Sequence, residues 1–480
     1  MSRRPDPRPA MQAAIFPDPW AETTIGERFA AVAATHADRP AIVWPGGIWS
    51  YAQLAERSML WGARLGASAS PRRPVAILLP RGAEMVAALL GAATAGRPWT
   101  ILPDRSTAAL LRATLEAVGA CDLVSDRARG AVDDLTDGLD VRLLDAPNSE
   151  GLGAAARRAA PDAPAAICFT SGTTGAPKGI AFRHDSTVWN AQHAGHSLGM
   201  DETDRYLWLS SPANAATCSA LFCTLLRGAC LLPFDVADRG FTVLAGWIEE
   251  SRATVFHSIP SLFRRFARSV AEPSQLDSLR VVKLGGEPLF AADVALFRER
   301  MSADAQLVNG LGMSEANGNV CHEQVSRDEH FEESVPIGKA LPGFELTVRD
   351  DEDREVPPGE SGRLRIVGAS LAEGYWDAAA GAAIPFASGG EEGIRLFHAQ
   401  DICRRLEDGR LVHLGRSDGV VKVRGVRVSL AGIEAKIREM AGVGDVLVDA
   451  GEPGAAEPRI AAWIEPVPGQ MLAPHLLREQ

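Results

Sequence analysis

The 480-residue chain has no excess of positive charge, no long apolar run and no closely paired cysteines. Lysine and arginine number 49 against 61 aspartates and glutamates, a formal charge of −12. Non-specific nucleic-acid binding needs basic surface, so this balance argues against nucleic acid as a partner. The apolar runs, "VAILL" and "MVAALLGAATAG" among them, are short or broken by glycine. None reaches the roughly 20 residues that a membrane-spanning helix requires. The opening "MSRRPDPRPAMQAAIFPDPW" is basic but has no apolar stretch after it, so no secretory signal is read there. The seven cysteines (Cys121, Cys168, Cys218, Cys223, Cys230, Cys321 and Cys403) never form C-x-x-C. This points to reduced thiols in a cytoplasmic protein, not to a disulfide framework or a zinc site. His193 and His196 lack the third ligand of a zincin motif and read as helical histidines.

Hydrophobic residues at 46% and charged residues at 23% fit a globular chain, long enough for two to four compact units at about 150 residues each. "RPVAILLP", "RGAEMVAALLGAATAG", "PWTILP", "AALLRATLEAVGA" and "CDLVSD" follow one another as strand, helix, strand, helix, strand. That rhythm predicts right-handed crossovers and a mostly parallel sheet. It returns in "ATVFHSIP", "RVVKLGG" and "AQLVNGLG", separated by helical stretches. Ligands of such sheets bind beyond the carboxyl ends of the strands, so "SIPS", "GGEP" and "NGLGMSE" are candidate site walls. After about residue 340 the pattern becomes antiparallel, with "RRLEDGRLVHLG" read as a hairpin turning at Asp408-Gly409. "GRSDGVVKVRG", from Gly415, reads as a linker, and "GLGAAARRAAPDAPAA" as a surface connection.

"FTSGTTGAPKG", Phe169 to Gly179, follows a strand-like run and concentrates glycine, hydroxyl side chains and one lysine. Successive backbone N–H groups in such a turn form an anion-binding nest, and a lysine adds a point charge suited to phosphate. Pro177 before Lys178 and Gly179 after it rule out the Walker pattern, which needs G-K-[ST]. Phosphate binding is the reading, with a mobile linker as the alternative.

The same stretch resembles the phosphate loop of the adenylate-forming superfamily: acyl-CoA synthetases, luciferase-like enzymes and nonribosomal peptide synthetase adenylation domains. Its companions occur in the family's order: "GGEPL", "NGLGMSEA", "GRLRIVGASLAEGYW" and "GRSDGVVKVRGVRVSLAGIE". "ATAGRPWTILPDRS" fits more loosely. The resemblance spans the chain from about residue 24 to its end. It implies an α/β fold: a large N-terminal domain (1–414) with two mostly parallel α/β subdomains and a smaller β-rich one. An incomplete α+β C-terminal subdomain (415–480) follows.

By resemblance the activity is ATP-dependent formation of an acyl-adenylate, with pyrophosphate released and the acyl group passed to a thiol. Thr170, Ser171, Gly172, Thr173, Thr174, Gly175 and Lys178 would hold the β- and γ-phosphates, and Ser314 keeps the hydroxyl of the family's threonine. Glu315 would bind Mg²⁺, a hard cation that prefers oxygen ligands. Gly285, Gly286, Glu287, Asn309, Leu311 and Gly312 would line the adenine, Asp401 the ribose, and Arg416 the ribose or phosphate. Asp418 falls at the hinge.

Departures from the pattern carry as much as the matches. Leu311 stands where an adenine-stacking tyrosine is usual, and Ala399-Gln400 replace Thr-Gly before Asp401. The family's late Gly-Lys motif does not occur within these 480 residues, so the adenylation half-reaction is expected to be impaired and the domain to be cut short. Ala215 stands where amino-acid-activating domains place the aspartate that pairs with the α-ammonium. A buried ammonium without a counter-charge is costly, so an ordinary α-amino acid is disfavoured as the carboxylic acid substrate. His257, Val282, Leu284, Gly310, Gly318 and Asn319 are the other expected pocket positions. The expected acceptor is a carrier protein with a phosphopantetheine arm. Acyl-CoA synthesis, or a catalytically weak nucleotide-binding partner of a synthetase, are the alternatives.

Overall fold

A computed structural model describes residues 23–68, 70, 73–127, 129–147, 159–171, 177–331, 334–389, 393–417, 420–423, 426–438, 440, 443–450 and 460–466. Two large sheets dominate. In the eight-stranded sheet, Val75–Leu78, Trp99–Ile101, Asp122–Ser125, Arg142–Leu144 and Pro164–Ser171 are parallel, as the strand–helix rhythm predicts. Pro177–Arg183, Gly374–Asp377 and Ala382–Pro385 extend it antiparallel. In the nine-stranded sheet, Pro40–Trp44, Cys230–Pro233, Arg205–Trp208, Val255–Ser258, Val281–Gly285 and Gln306–Met313 run parallel in that spatial order.

These parallel strands read as continuous apolar runs because both their faces are covered. Val75–Leu78 and Cys230–Pro233 are buried at every position. The helices Ile25–Thr35, Tyr51–Gly66, Ala83–Thr94, His184–Ser197 and Ala215–Leu225 share one apolar cluster with residues of both sheets, so they form the layer between them. The outer face of the nine-stranded sheet packs on Val236–Ser251, Pro260–Ser269 and Ala291–Arg300, with Phe256 stacked on Phe266. Ala108–Val118 and Arg129–Thr136 cover the outer face of the eight-stranded sheet.

Helix starts follow local chemistry. Thr24 and Glu27 form a capping box ahead of Ile25–Thr35, Ser50 and Gln53 do the same ahead of Tyr51–Gly66, and Asn214 caps Ala215–Leu225. Each satisfies N–H groups that the first helical turn leaves unpaired.

A five-stranded antiparallel sheet holds Phe344–Arg349, Ser361–Gly368, Ala387–Ser388, Arg395–Arg405 and Leu411–Arg416. The segment expected as a linker instead contains a two-stranded hairpin, Val420–Val423 with Val426–Ser429. Helix Leu430–Arg438 and the antiparallel pair Val443–Asp449 and Ala461–Pro466 follow, sharing a small apolar cluster. All seven cysteines are free and buried.

Candidate active site

The two ends of "FTSGTTGAPKG" lie on paired strands. Pro164–Ser171 pairs antiparallel with Pro177–Arg183, placing Thr170 opposite Lys178 and Ser171 opposite Pro177. Gly172, Thr173, Thr174 and Gly175 lie outside the described residues, as does Asp418. Lys178 is exposed, and its Nζ sits 5.7 Å from the centre of the Tyr375 ring. Tyr375 belongs to the "GYW" strand, whose Gly374 and Tyr375 pair with Ala181 and Ile180 on the lysine's own strand. Trp376 anchors that strand through a 3.0 Å bond from its Nε1 to the Val118 carbonyl.

Ser314 and Glu315 occupy a short 3₁₀ turn at the end of Gln306–Met313. Its backbone is held from behind. Ala372 N–H donates to the Glu315 carbonyl at 3.0 Å, and Asn190 donates to the Ala316 and Ser370 carbonyls. Asn317 leaves the turn in left-handed conformation (φ 55°), its buried side chain donating to Thr187 at 3.1 Å. The Glu315 carboxylate has no recorded partner among the described residues and is half-buried. A carboxylate left without a partner beside a hydroxyl, together with an exposed lysine, is a donor set that fits a divalent cation and phosphate.

The three predicted strand ends come together. Glu287 accepts from Ser261 N–H at 2.9 Å and Ser261 Oγ at 3.0 Å, tying "GGEP" to "SIPS". Gly285 lies opposite Gly310, where a Cβ would stand 2.9 Å from the Gly310 carbonyl oxygen. Gly286 has φ +85°, which glycine adopts without strain. Asn309 is committed elsewhere: it is buried, and its amide donates to the Val335 and Pro336 carbonyls. Leu311 is half-buried against the cluster of the five-stranded sheet, and Gly312 lies opposite Asn319. Buried Asp401 accepts from His413 Nε2 at 2.9 Å and Arg416 Nη1 at 3.0 Å, so the aspartate and arginine expected on the ribose side meet across one antiparallel pair.

The positions expected to line the acid do not share one face. Val282 and Leu284 sit in the outer apolar cluster with Phe256 and Phe263, on the face away from His257. Successive strand residues point to opposite faces, so residues in register share a face. His257 is in register with Lys283, and Lys283 with Val308, while Gly285, Gly310 and His322 continue that face. The face that carries His257 therefore presents Lys283 on this strand, not Val282 or Leu284, and the register with His257 is the signal that finds it. Tyr206 Oη and His257 Nδ1 lie 2.7 Å apart, and burial drives His257 well below the usual histidine range, with the Lys283 charge adding to the effect. Ala215 opens the helix that covers this face, and space lies open where a Cβ on Gly318 would stand. A separate cavity of about 460 Å³, between Trp44, Trp49, Trp61 and Arg81, is lined by none of the predicted site residues.

A family profile described as "AMP-binding enzyme" matches residues 29–376. The chain belongs to that family. As an AMP-binding enzyme it is 29% identical over 438 residues to surfactin synthase subunit 2 of Bacillus subtilis (strain 168). The match covers 89% of this chain and 12% of that relative. It is 33% identical over 303 residues to L-proline--[L-prolyl-carrier protein] ligase of Streptomyces coelicolor, covering 61% of this chain and 55% of that one. Among solved structures it is similar to NpsA-ThdA, an artificially fused adenylation–PCP di-domain from Klebsiella oxytoca. That likeness has a TM-score of 0.78 and 25% identity, over 92% of this chain and 89% of that one. The chain thus spans a minor part of the first synthase and about half of the ligase. An adenylate-forming ligase is the enzyme class these relatives support, and ATP is the nucleotide such enzymes use. No described helix is long and apolar enough to cross a membrane.

Proposed function

We propose that this chain activates a carboxylic acid as its acyl-adenylate and hands the acyl group to the phosphopantetheine thiol of a carrier protein. One observation carries the reading. The segment Ser370–Tyr375 joins the two halves of the site: Ala372 N–H bonds the Glu315 carbonyl, Glu373 N–H bonds the Ala181 carbonyl, and Tyr375 lies against Lys178. One short segment thus links residues of two sheets that are far apart in sequence, which supports a shared site.

A substrate carboxylate oxygen forms a bond to the α-phosphorus of ATP while the bond to the β-phosphate bridging oxygen breaks, and pyrophosphate leaves with that electron pair. Two anions must meet, so positioning and charge cancellation supply most of the catalysis. Lys178, with Thr170, Ser171, Gly172, Thr173, Thr174 and Gly175 of the same motif, holds the leaving phosphates. Glu315, with Ser314 beside it, would hold Mg²⁺, which when bound would neutralise phosphate charge. The adenine lies between the Gly285–Glu287 segment and Leu311–Gly312, and Asp401 and Arg416 take the ribose side. Asp418 is the hinge between adenylation and thioester formation, with the domain boundary near residue 415. Ala215 leaves no counter-charge for an α-ammonium, which favours acids other than ordinary α-amino acids. Seven unpaired, buried thiols support a cytoplasmic setting.

The test is ATP–pyrophosphate exchange over a panel of acids, in this chain and in one carrying the late Gly-Lys segment of a related adenylation domain. Acid-dependent exchange is expected in the second, and Glu315→Gln should lower it about 100-fold without altering the fold. ATP binding without exchange in either chain would overturn the reading.

A further inference from the structure

Lys283 is 3% exposed and enters no hydrogen bond or ion pair recorded among the described residues. It shares a sheet face with His257 and lies two residues before Gly285, at the crevice end of its strand. That places it about 7 Å deeper than the strand end, at roughly 3.3 Å per residue. Burial lowers His257 and His322, and the Lys283 charge pushes both further down. The one group that favours its charge is the Cys223 thiol, itself pushed up to about 11 by burial and thus neutral. Burial lowers Lys283 to about 8, which still leaves it protonated at pH 7. On the strand that pairs with Gly310 and Gly312, Nδ2 of Asn319 and Nδ1 of His322 are buried without partners among the described residues.

From this geometry we infer that the acid substrate carries a second carboxylate, which Lys283 binds at the bottom of the pocket. The inference rests on the ligase reading and adds its substrate class: a dicarboxylic acid, one carboxylate activated and the other held. A buried cation without a counter-charge is costly, and a ligand carboxylate supplies the missing charge together with acceptors for donors such as the Asn319 amide. Arginine–carboxylate pairs elsewhere show the alternative. Buried Arg264 meets both oxygens of Asp293 at 3.0 Å, whereas no carboxylate among the described residues meets Lys283.

The test is equilibrium binding, which needs no turnover. The full chain is titrated calorimetrically with two acyl-sulfamoyl adenosines that differ only at the far end: glutaryl, ending in carboxylate, and pentanoyl, ending in methyl. Glutaryl is expected to bind at least tenfold more tightly, and Lys283→Met to erase the difference while pentanoyl binding is kept. In Lys283→Glu the preference should reverse, toward the 5-aminopentanoyl compound. Equal or tighter pentanoyl binding in the parent chain overturns the dicarboxylate inference and leaves the ligase reading standing. So does a preference that survives Lys283→Met. Failure of both compounds overturns the ligase reading and the inference with it.

Discussion

Arg97, at the base of the eight-stranded sheet, and Lys283, on the face of the nine-stranded one that carries His257, are both buried cations in opposite surroundings. Arg97 bonds the Asp122 carboxylate and the carbonyls of Leu65, Arg73 and Pro74. Asp122 in turn accepts from Ser68 at 2.8 Å and Arg142 at 2.9 Å. Burial pushes Asp122 up, but these hydrogen bonds together hold it below its usual range. Every donor and acceptor there is matched, at the end of the strands opposite the crevice. Lys283 has no such set, and it lies toward the crevice. A matched buried charge is part of the scaffold, and an unmatched one marks a place for a ligand.

Arg97→Met should be the most damaging substitution, because it leaves Asp122 buried without its main partner. A loss of about 3–5 kcal/mol in urea unfolding is expected. A loss under about 1 kcal/mol would mean that Arg142 and Ser68 suffice, and the comparison would fail. Lys283→Met should act in the opposite direction, raising ligand-free stability at pH 7 by about 1–3 kcal/mol, because a charge disfavoured by burial is removed. The folded lysine titrates below the unfolded one, so its cost is full below about pH 8 and fades as pH rises toward the unfolded value. The gain should therefore shrink between pH 8 and 10, and a pH-independent gain would show that packing, not charge, produced it.

His184 and His193 illustrate a third outcome, in which a buried base gives up its proton. Burial lowers both to about 4; Asp185 and Glu27 partly oppose this at His184. The unfolded chain takes up protons near pH 6.5 that the folded chain refuses, so stability falls as pH drops from there toward 4. Each should cost about 1 kcal/mol by pH 5.5. Denaturation midpoints at pH 7.5 and 5.5 check this, and His184→Asn should flatten part of the slope. An unchanged midpoint would mean that both rings protonate freely in the fold.

Much of the fold was legible because its signals are local. The runs around Val75, Trp99, Asp122, Val255, Val281 and Gln306 are strands where the alternation with helices placed them. Long-range pairing was not legible. Pro40–Trp44 joins the nine-stranded sheet through Ile42 opposite Leu231, and nothing near residue 40 announces a partner so far along the chain. The motifs located Lys178, Glu315 and Asp401, but face parity was lost on "VVKLG". A strand covered on both sides is apolar on both, so alternation does not say which face holds the pocket. Val282 and Leu284 come from alignment to the family pattern, whereas the register of His257 with Lys283 shows which residues share its face. The hairpin Val420–Ser429 was hidden by the glycines around it, although "VVKV" and "VRVS" have the composition of strands.

The seven buried thiols also make the molecule its own unfolding reporter. Cys121 and Cys168 belong to the eight-stranded half, Cys230 and Cys321 to the nine-stranded sheet, Cys218 and Cys223 to the helix between the sheets, and Cys403 to the five-stranded sheet. Burial should slow an alkylating reagent at all seven in the folded chain. As denaturant rises, each mass increment, mapped to its peptide, dates the opening of one part of the molecule. Intact-mass labelling would thus separate the unfolding of the pocket from that of the scaffold in one experiment, with no probe introduced.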